Sequence, residues 1–507
     1  MRLNIIMGGA AGQGINKISS IVSNVIKNHG YFTFNYRDYQ SLIRGGHNFN
    51  TLSISDTPIS SHYTKIDIIV ALNKRAIETH QFALKKDGVL IDSKDLRKEG
   101  KNLNIVMAGI LLKTLGIPLK ELEAEINSQF KEPKESLISA KRGYDLGKKK
   151  FSLEKLDNQP TILSGSQAVA IGAKNSNLDV YIAYPMTPST NAFHALAASQ
   201  LKNKMLVFQA ENEISVANMA IGASYAGAKT MIGTSGGGFD LMGEALSLQG
   251  ATEIPLTVYL ASRPGPGTGV PTYTGQPDLN LALRSGHGEF PRIVVAPGDP
   301  IEVIEKTSEA LYLAEKFKIL SIILSDKHVA ESEFSTTETP AKTPKFTIDR
   351  KLPGNSIIKA SSYESNEFGN STESYTLVEK NMDKRLEKYE TIKEYVKENL
   401  EMIKIHGKED SKNLIIGWGS TKGAIIDAIK DLDAKFLQVI YLKPLSDKIK
   451  EEIEKAKNVI LVECNATGQL GRLIREKTGI KIENRLLKYN GRPFHCDELN
   501  KHLKSML

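Results

Sequence analysis

The stretch that organises this chain is Phe208-Gln-Ala-Glu-Asn-Glu-Ile-Ser-Val-Ala-Asn-Met-Ala-Ile-Gly-Ala-Ser-Tyr-Ala-Gly227. Residues 205–208 predict the end of a short buried strand, and from Glu213 onward the apolar residues take the spacing of a helix. The predicted packing face consists mostly of small side chains: Val216, Ala217, Ala220, Ala223 and Ala226. A helix this thin at its packing surface lets another backbone or a flat ligand approach closely.

Glu213 is the residue of this stretch that could carry chemistry. It stands where strand gives way to helix, so its carboxyl group would lie near a positive helix end and inside an apolar wall. An ordinary glutamate in the first turn of an alanine-rich core helix would have the same local sequence. The choice between the two interpretations depends on the rest of the chain.

Length and composition narrow the class of protein. A chain of 507 residues is too long for one hydrophobic core, so several domains are expected. The net charge of +8, from 66 basic and 58 acidic residues, is mild, and no basic cluster is interleaved with aromatic residues, so nucleic acid is not an expected partner. No apolar run approaches the roughly 20 residues that span a membrane. The two cysteines, Cys464 and Cys496, are too few for an iron–sulfur or zinc site. Together these features predict a soluble, cytoplasmic protein.

Residues 1–150 predict a first α/β domain. A short strand at 3–7 leads into Gly8-Gly-Ala-Ala-Gly-Gln-Gly14 and then a helix, which is how nucleotide-binding α/β units begin. The spacing is poor for a dinucleotide fingerprint, because Lys17 occupies the position of the third glycine. A tight turn without a ligand explains the loop equally well. Residues 66–72 form a continuous apolar run, typical of a buried parallel strand, and helices are expected around 74–85 and 119–130.

Residues 160–345 predict a second α/β domain with three notable strand ends. The strand at 180–183 meets a turn with two prolines, Tyr184-Pro-Met-Thr-Pro-Ser-Thr190, whose hydroxyls could cap the next helix. The strand at 230–234 leads to Ser235-Gly-Gly-Gly238, a turn that allows close approach. The strand at 255–260 runs into Ser262-Arg-Pro-Gly-Pro-Gly-Thr-Gly-Val-Pro-Thr272, a loop whose fixed cation is Arg263. An arginine at the carboxyl end of a parallel strand is suited to gripping a carboxylate, although a lone loop arginine is commonly a solvated charge.

The last part of the chain predicts a polar connector and a third α/β domain. The connector covers 346–410 and contains a charged helix at 382–400. In the domain at 411–507, strands are expected at 414–420, 436–442 and 458–463, with amphipathic helices at 422–433 and 447–457. The predicted fold class is therefore α/β throughout, in three domains.

Four motifs in this order carry a resemblance to a known family: Tyr184-Pro-Met-Thr-Pro-Ser189, Glu211-Asn-Glu213, Arg263-Pro-Gly-Pro266 and Gly491-Arg-Pro-Phe494. The chain resembles the α subunit of 2-oxoacid:ferredoxin oxidoreductases, of the type whose γ domain is fused at the N-terminus. The resemblance covers nearly the whole chain. It implies a Rossmann-like γ domain, a pyrimidine-type thiamine diphosphate domain and a transketolase C-terminal-like domain. The glycine loop with Arg44-Gly-Gly46 resembles the γ-domain pattern.

The resemblance also implies a reaction and a set of site residues. The reaction is coenzyme-A-dependent oxidative decarboxylation of a 2-oxoacid on thiamine diphosphate, with electrons passed to ferredoxin. Glu213, favoured over Glu211, would act on the aminopyrimidine ring. Thr187 and Pro185 would adjoin the cofactor and Thr187 also the substrate, while Arg263 and Thr272 would grip the substrate carboxylate. Gly267 stands where many relatives have serine, which leaves pyruvate, 2-oxoglutarate and branched-chain 2-oxoacids all open as substrates.

A partner subunit is the last expectation from the sequence. Gly298-Asp299-Pro300 has proline where a Gly-Asp-Gly turn for the Mg²⁺–diphosphate would have glycine, and it is interpreted as a loop before a helix. The resemblance places Mg²⁺ and a [4Fe–4S] cluster in a separate β subunit, with the chains forming a heterodimer, single or doubled. The alternatives are a nucleotide- or coenzyme-A-binding regulatory protein without redox chemistry, and a dinucleotide-dependent dehydrogenase, which the missing third glycine disfavours.

Overall fold

The computed structural model describes residues 1–42, 45–342, 344–356, 358 and 361–507. The strands in chain order are β1 (Arg2–Ala11), β2 (Phe32–Asp38), β3 (Gly45–Ser55), β4 (Ile66–Ala71), β5 (Leu84–Asp92), β6 (Thr161–Ser164), β7 (Val180–Ala183), β8 (Leu206–Gln209), β9 (Thr230–Thr234), β10 (Leu256–Ser262), β11 (Arg292–Val295), β12 (Leu320–Asp326), β13 (Glu333–Thr336), β14 (Ile403–Gly407), β15 (Asn413–Trp418), β16 (Lys435–Val439), β17 (Tyr441–Lys443), β18 (Asn458–Glu463) and β19 (Asn484–Leu487).

The helices in chain order are α1 (Ile15–Asn28), α2 (Lys74–His80), α3 (Leu103–Leu115), α4 (Leu119–Gln129), α5 (Lys134–Leu146), α6 (Gly165–Asn175), α7 (Thr190–Asn203), α8 (Glu213–Tyr225), α9 (Gly236–Leu241), α10 (Gly243–Thr252), α11 (Leu279–Arg284), α12 (Pro300–Phe317), α13 (Lys327–Glu331), α14 (Tyr375–Asn399), α15 (Thr421–Ala428), α16 (Lys448–Lys455), α17 (Gln469–Thr478) and α18 (Cys496–Lys504). Two short 3₁₀ segments lie at Gln81–Ala83 and Lys94–Asn102.

The chain divides into two compact units. The first comprises Met1–Ser164, Ser332–Glu338 and Phe494–Leu503, and the second comprises Gly165–Glu331, Thr339–Pro493 and Lys504–Leu507. Within the described residues the strands form three sheets, one in the first unit and two in the second. Helices cover them, so the predicted α/β class is confirmed.

The first unit contains a mixed sheet in the order β5-β4-β1-β3-β2-β13-β6. Strand β4 is buried along its whole length and pairs parallel to β1 and β5, as its continuous apolar run predicted. Helix α1 packs on this sheet through the predicted apolar face, which is fully or almost fully buried. Strand β1 is longer than predicted and runs through Gly8 and Gly9 before the turn that starts α1.

Two histidines lie beside the glycine loop of the first unit. Their Nε2 atoms, of His47 and His80, are 2.8 Å apart. Burial, together with the neighbouring His47 ring, lowers the pKa of His80 to about 4. A neutral pair of tautomers explains so short a contact, since one ring donates and the other accepts. Arg44, which the sequence placed near this loop, lies outside the described residues.

The second unit contains the sheet that the opening stretch organises, in the order β17-β11-β12-β10-β9-β7-β8. Strands from β8 to β11 run parallel, and only β17 is antiparallel to its neighbour, among the pairings described. The other sheet of this unit has the order β14-β16-β15-β18-β19. A shared apolar cluster contains core residues of both sheets, including Val258 and Leu437.

Several sequence predictions for the second unit need correction. The strand at 205–208 was expected to be buried, but β8 is an edge strand that is mostly exposed. Of the predicted packing face of α8, Ala223 is only half-buried, and Ala226, just after the helix, is exposed. Ile221 and Ser224 are buried in their place. The helix expected at 382–400 begins earlier, at Tyr375.

Sheet membership also departs from the expected blocks. The strand expected at 436–442 is two strands: β16 stays in the third block, and β17 crosses to pair with β11. Strand β14 lies in the predicted connector but pairs with β16. Strand β13 joins the first unit's sheet by pairing with β2 and β6. In the first unit, the helix expected at 74–85 ends at His80, because β5 starts at Leu84.

Across the part of the chain that the structure describes, no helix combines the length and the apolar character that crossing a bilayer requires.

Candidate active site at the strand ends

The candidate residues gather at one edge of a parallel sheet. Strands β7, β9 and β10 run in the same direction, so the turns after Ala183, Thr234 and Ser262 lie at the same edge. Open α/β sheets bind ligands outside the carboxyl ends of their strands. The sequence-predicted residues Thr187, Glu213 and Arg263 all lie just beyond such strand ends.

Glu213 is a buried carboxyl group that the protein itself leaves unused. The N-cap of α8 is Asn212, whose side chain accepts a hydrogen bond from the Ser215 N–H at 2.8 Å. Glu213 is therefore not needed as a cap, and only 4% of its surface is exposed. Within the described residues, no hydrogen bond reaches its carboxyl oxygens. A buried acceptor without a partner is unfavourable unless something else supplies the donor.

The glycine turn after β9 makes room for this carboxyl group. A Cβ atom at Gly238 would lie 2.8 Å from Glu213 Oε1 and 2.3 Å from the Thr234 hydroxyl, so only glycine fits. Three residues before Gly238, the Ser235 hydroxyl is buried and has no hydrogen-bond partner. The close-approach turn predicted from Ser235-Gly-Gly-Gly238 is thus observed, with helix α9 beginning inside it.

Glu211, the competing glutamate, has a different environment. It is exposed, and its carboxylate accepts a hydrogen bond from the side chain of the adjacent Asn212. A solvated, partnered carboxylate has little reason to bind a ring nitrogen. Burial therefore favours Glu213 of the two.

Arg263 and Thr187 are in direct contact. The guanidinium donates from Nη1 to the Thr187 carbonyl oxygen at 2.9 Å, which ties the loop after β10 to the proline turn after β7. Burial lowers the pKa of Arg263, and the charge of Asp278 opposes this shift. An arginine remains charged after such a shift, so its other N–H groups stay available as donors.

Asp278 is the site residue that the sequence did not indicate. A Cβ atom at Gly236 would lie 2.5 Å from its Oδ2 atom, so the carboxyl group is pressed against the glycine turn. Burial raises the pKa of this carboxyl to about 6, against the opposing effects of Ser262 and Arg263. The sequence signal that could have indicated Asp278 is its position fifteen residues after Arg263, at the end of the same loop. Only the folded loop brings the two residues together.

The other predicted residues have less defined contacts. Thr272 is buried in the loop after β10, whereas Pro185 is half-buried directly after β7. The proposed cap of α7 is wrong: the Ser189 hydroxyl donates to the Met186 carbonyl at 2.7 Å and does not cap the helix.

The loop after β10 is anchored at its far end on the third block. Gln276 donates from its side chain to the Trp418 carbonyl and accepts from the Cys464 N–H, each at 2.8 Å. The Arg492 guanidinium lies 3.8 Å from the centre of the Tyr273 ring. Cys464 and the motif Gly491-Arg-Pro-Phe494 therefore support the loop that carries Arg263.

A parallel α/β sheet with an unpartnered acid and a fixed cation at its strand ends defines a ligand-binding enzyme of the doubly wound class. Comparison with known proteins identifies the family within this class. The family described as "Pyruvate flavodoxin/ferredoxin oxidoreductase, thiamine diP-bdg" matches residues 171–401. A second, "Pyruvate ferredoxin/flavodoxin oxidoreductase", matches residues 4–100.

Individual relatives match most or all of the chain. A 2-oxoacid:ferredoxin oxidoreductase subunit alpha from Sulfolobus sp is 31% identical, over 99% of this chain and 96% of its own length. A 2-oxoglutarate synthase subunit KorA from Archaeoglobus fulgidus is 30% identical over 62% of this chain and 90% of its own length. The solved 2-oxoglutarate:ferredoxin oxidoreductase from Magnetococcus marinus, with 2-oxoglutarate, coenzyme A and succinyl-CoA bound, superposes with a TM-score of 0.89 at 26% identity. That match covers 100% of this chain and 99% of the solved one.

The chain belongs to the α-subunit family of 2-oxoacid:ferredoxin oxidoreductases. It is a subunit of an oxidoreductase that acts on 2-oxoacids, as the four motifs predicted. These relatives favour that interpretation over a regulatory binding protein without redox chemistry.

Proposed function

We propose that this chain supplies the aminopyrimidine half of a thiamine diphosphate site and the grip on the substrate carboxylate. The assembled enzyme would convert a 2-oxoacid and coenzyme A into an acyl-CoA and CO₂. The observation that carries the proposal is the buried, unpartnered carboxyl group of Glu213. We also propose domain limits of 1–150, 160–345 and 411–507, except that β13, β14 and β17 belong to the sheets described above. A cytoplasmic location is part of the same proposal.

The residues present fit thiamine diphosphate. Glu213 offers free acceptor oxygens, the Ser235 hydroxyl is also unpartnered, and the glycines beside them leave space for a flat ring. When bound, this cofactor supplies the electron sink for decarboxylation. Glu213 would hold a proton at the ring nitrogen, because within the described residues no protein donor occupies its carboxyl oxygens. Thr187 and Pro185 would bound the pocket from the turn after β7.

Arg263 would bind the substrate carboxylate from the neighbouring strand end. Its Nη1 is held by the Thr187 carbonyl, and this fixes the guanidinium in one orientation. The remaining N–H groups could then make a charge-assisted, bidentate contact. Thr272, buried in the same loop, would add its hydroxyl. A fixed guanidinium lowers the entropy lost when the substrate binds.

The same proposal includes a separate β subunit that contributes Mg²⁺, the diphosphate contacts and a [4Fe–4S] cluster, from which ferredoxin takes the electrons. The name "subunit alpha" of the relatives supports a second chain. So does the edge strand β8, where Leu206 is 55% and Phe208 42% exposed, with Ile214 at 49% close by in sequence. An apolar sheet edge of this kind suits contact with another protein.

The test compares Glu213→Gln with Glu211→Gln in the enzyme co-purified with its partner. Glutamine keeps the shape of the side chain but cannot give up or take the proton. We expect Glu213→Gln to lower coenzyme-A-dependent dye reduction about a hundredfold or more, with an unchanged thermal unfolding temperature. Glu211→Gln should stay near wild type. Full activity of Glu213→Gln together with an inactive Glu211→Gln would assign the role to the other glutamate.

The partner is tested with the chain purified alone. We expect weak thiamine diphosphate binding by calorimetry, no iron by elemental analysis and no reduction of a dye. Adding the separately purified partner should restore turnover. Tight cofactor binding with turnover by the single polypeptide would contradict the need for a β subunit.

A further inference from the structure

A cavity of about 340 Å³ lies at the opposite edge of the sheet from the candidate active site. Arg292 is the first residue of β11, so the cavity is at the amino end of that strand. Five cations from five elements line it: Arg284, Arg292, Arg385, Lys443 and Lys477. The acidic residue in its wall is Glu289, which is exposed.

Three of these cations already have carboxylate partners. Arg284 and Lys477 both pair with Glu476, and Arg385 pairs with Glu364 at 2.6 Å. Arg292 and Lys443 have none: within the described residues, no carboxylate lies within 4.0 Å of either charge. Glu289 therefore neutralises neither of them.

Solvent does not replace the missing carboxylate partner of Arg292, because this side chain is buried. It is 3% exposed, its Nε has no hydrogen-bond partner, and its Nη1 reaches the Ala282 carbonyl only at 3.4 Å. Its guanidinium lies 4.4 Å from the centre of the Phe290 ring. Burial lowers the pKa of Arg292 to about 10. A buried cation without a counter-ion is strongly unfavourable.

Lys443 is held next to Arg292 by strand pairing. In the antiparallel register, Lys443 lies opposite Val294, whose side chain shares a face of β11 with that of Arg292. The Lys443 ammonium lies 5.6 Å from the Tyr389 ring. Burial, then the charges of Arg292, Lys477 and Arg284, lowers the pKa of Lys443 to about 8. Like charges repel each other here, and the charge of Glu476 opposes this effect on Lys443 only in part.

We propose that this cavity binds a phosphate group, either free or carried by a small phosphorylated metabolite. Arg292 offers the unused edge of a guanidinium, and Lys443 adds a point charge beside it. Together they match the several acceptor oxygens and double negative charge of a phosphate. The volume exceeds that of phosphate alone and leaves room for a short carbon chain against Phe290 and Tyr389. The proposal rests on binding and is independent of the oxidoreductase activity.

Binding is tested by calorimetry and thermal unfolding of the full chain. The probes are inorganic phosphate, ribose 5-phosphate and citrate, each compared with sodium chloride at the same ionic strength. Both phosphate probes should raise the unfolding temperature beyond sodium chloride. Stronger binding of ribose 5-phosphate would indicate a metabolite, and equal binding would indicate free phosphate. No stabilisation beyond sodium chloride, or an effect from citrate alone, would overturn the proposal.

Two substitutions at one position locate the site. Lys443→Met should weaken phosphate binding tenfold or more, whereas Lys443→Arg should retain it within about threefold, because the charge is kept. Lys397→Met is the matched control: Lys397 is an exposed cation near the end of α14, outside the cavity wall. Unchanged phosphate affinity in a folded Lys443→Met variant would overturn the assignment.

Discussion

Two polar clusters at the same edge of one sheet differ in whether their polar groups have partners within the protein. Beyond β11, Glu302 is buried, yet it accepts from Gly298 N–H and Gln438 at 2.7 Å each and from Lys422 at 2.6 Å. Lys422 also pairs with Asp299, the N-cap of α12. We refer to Asp299, Glu302 and Lys422 as the paired cluster. Its charges satisfy one another.

Beyond β9 and β10, Glu213 and Ser235 are equally buried and Asp278 is partly buried, but polar atoms of all three lack hydrogen-bond partners in the described chain. Neither carboxyl oxygen of Glu213 is hydrogen-bonded within the described chain, and the Ser235 hydroxyl and Asp278 Oδ2 are orphaned. We refer to these three residues as the open cluster. Buried polar groups are normally satisfied, so the comparison separates a cluster whose charges are paired within the protein from one that leaves polar atoms without protein partners.

The pKa values follow the same division. Burial alone would raise the pKa of Glu302, but the Lys422 and Lys404 charges and the Gly298 N–H hold it at about 2. In the open cluster, burial dominates and raises the pKa of Asp278 to about 6. Burial raises the pKa of both carboxyl groups, but the outcomes differ because the cations and donors around Glu302 outweigh burial, whereas Ser262 and Arg263 do not outweigh it at Asp278.

The largest effect is expected from breaking the paired cluster. Lys422→Met leaves Glu302 buried without its main counter-ion, which should lower the free energy of unfolding by about 3–5 kcal/mol. Because the folded pKa of Glu302 is depressed to about 2, this stabilisation is present above the usual pKa of 4.5 and is lost as pH falls toward 2. Urea unfolding at pH 7 and pH 3 measures both.

A matched control sharpens this prediction. Lys408→Met removes an exposed lysine just after β14, whose ion-pair partner Asp433 is also exposed, and should change stability by no more than about 0.5 kcal/mol. A Lys422→Met protein as stable as wild type at pH 7 would mean that the paired cluster does not hold the fold.

A smaller effect of opposite sign is expected in the open cluster. Because the folded pKa of Asp278 is raised to about 6, its ionised form destabilises the fold above pH 6, and this penalty disappears as pH falls below the unfolded pKa of 3.8. Asp278→Asn should therefore raise the free energy of unfolding at pH 8 by up to about 3 kcal/mol, and leave it unchanged near pH 3.5. Thermal unfolding across that range provides the measurement.

Asp240→Asn serves as its control, since Asp240 is exposed on helix α9 and acts on Asp278 through its charge. It should shift stability only slightly at any pH. Equal destabilisation by Asp278→Asn at both pH values would show that Asp278 supports the structure as the paired cluster does.

The smallest effect concerns Arg263. A lysine cannot reproduce a guanidinium held by the Thr187 carbonyl, so Arg263→Lys should raise KM about tenfold and alter kcat much less. The increase should be shared by pyruvate, 2-oxoglutarate and branched-chain 2-oxoacids, because all present the same carboxylate. Steady-state kinetics with the assembled enzyme measure KM and kcat. Arg475→Lys, at an exposed arginine, is the control. An unchanged KM across the panel would remove Arg263 from the site.

The sequence by itself determined the local elements and the order of the site residues. Strands β7 and β9 and the start of α8 fall where short-range periodicity placed them. Glu213 could be singled out because its place between strand and helix and the small residues after it are local signals. These features depend on neighbours a few residues away, which a linear sequence displays directly.

Only the tertiary structure decided which groups are partnered. It put β8 at an exposed edge, carried β17 across to β11 and brought Asp278 against Gly236. It also paired Lys422 with Glu302, 120 residues away along the chain, while leaving Glu213 without a partner. Strand pairing, burial and charge compensation depend on contacts between distant segments. A local pattern does not contain them, because the same short strand or carboxylate can be exposed, paired or left open according to what the fold packs against it.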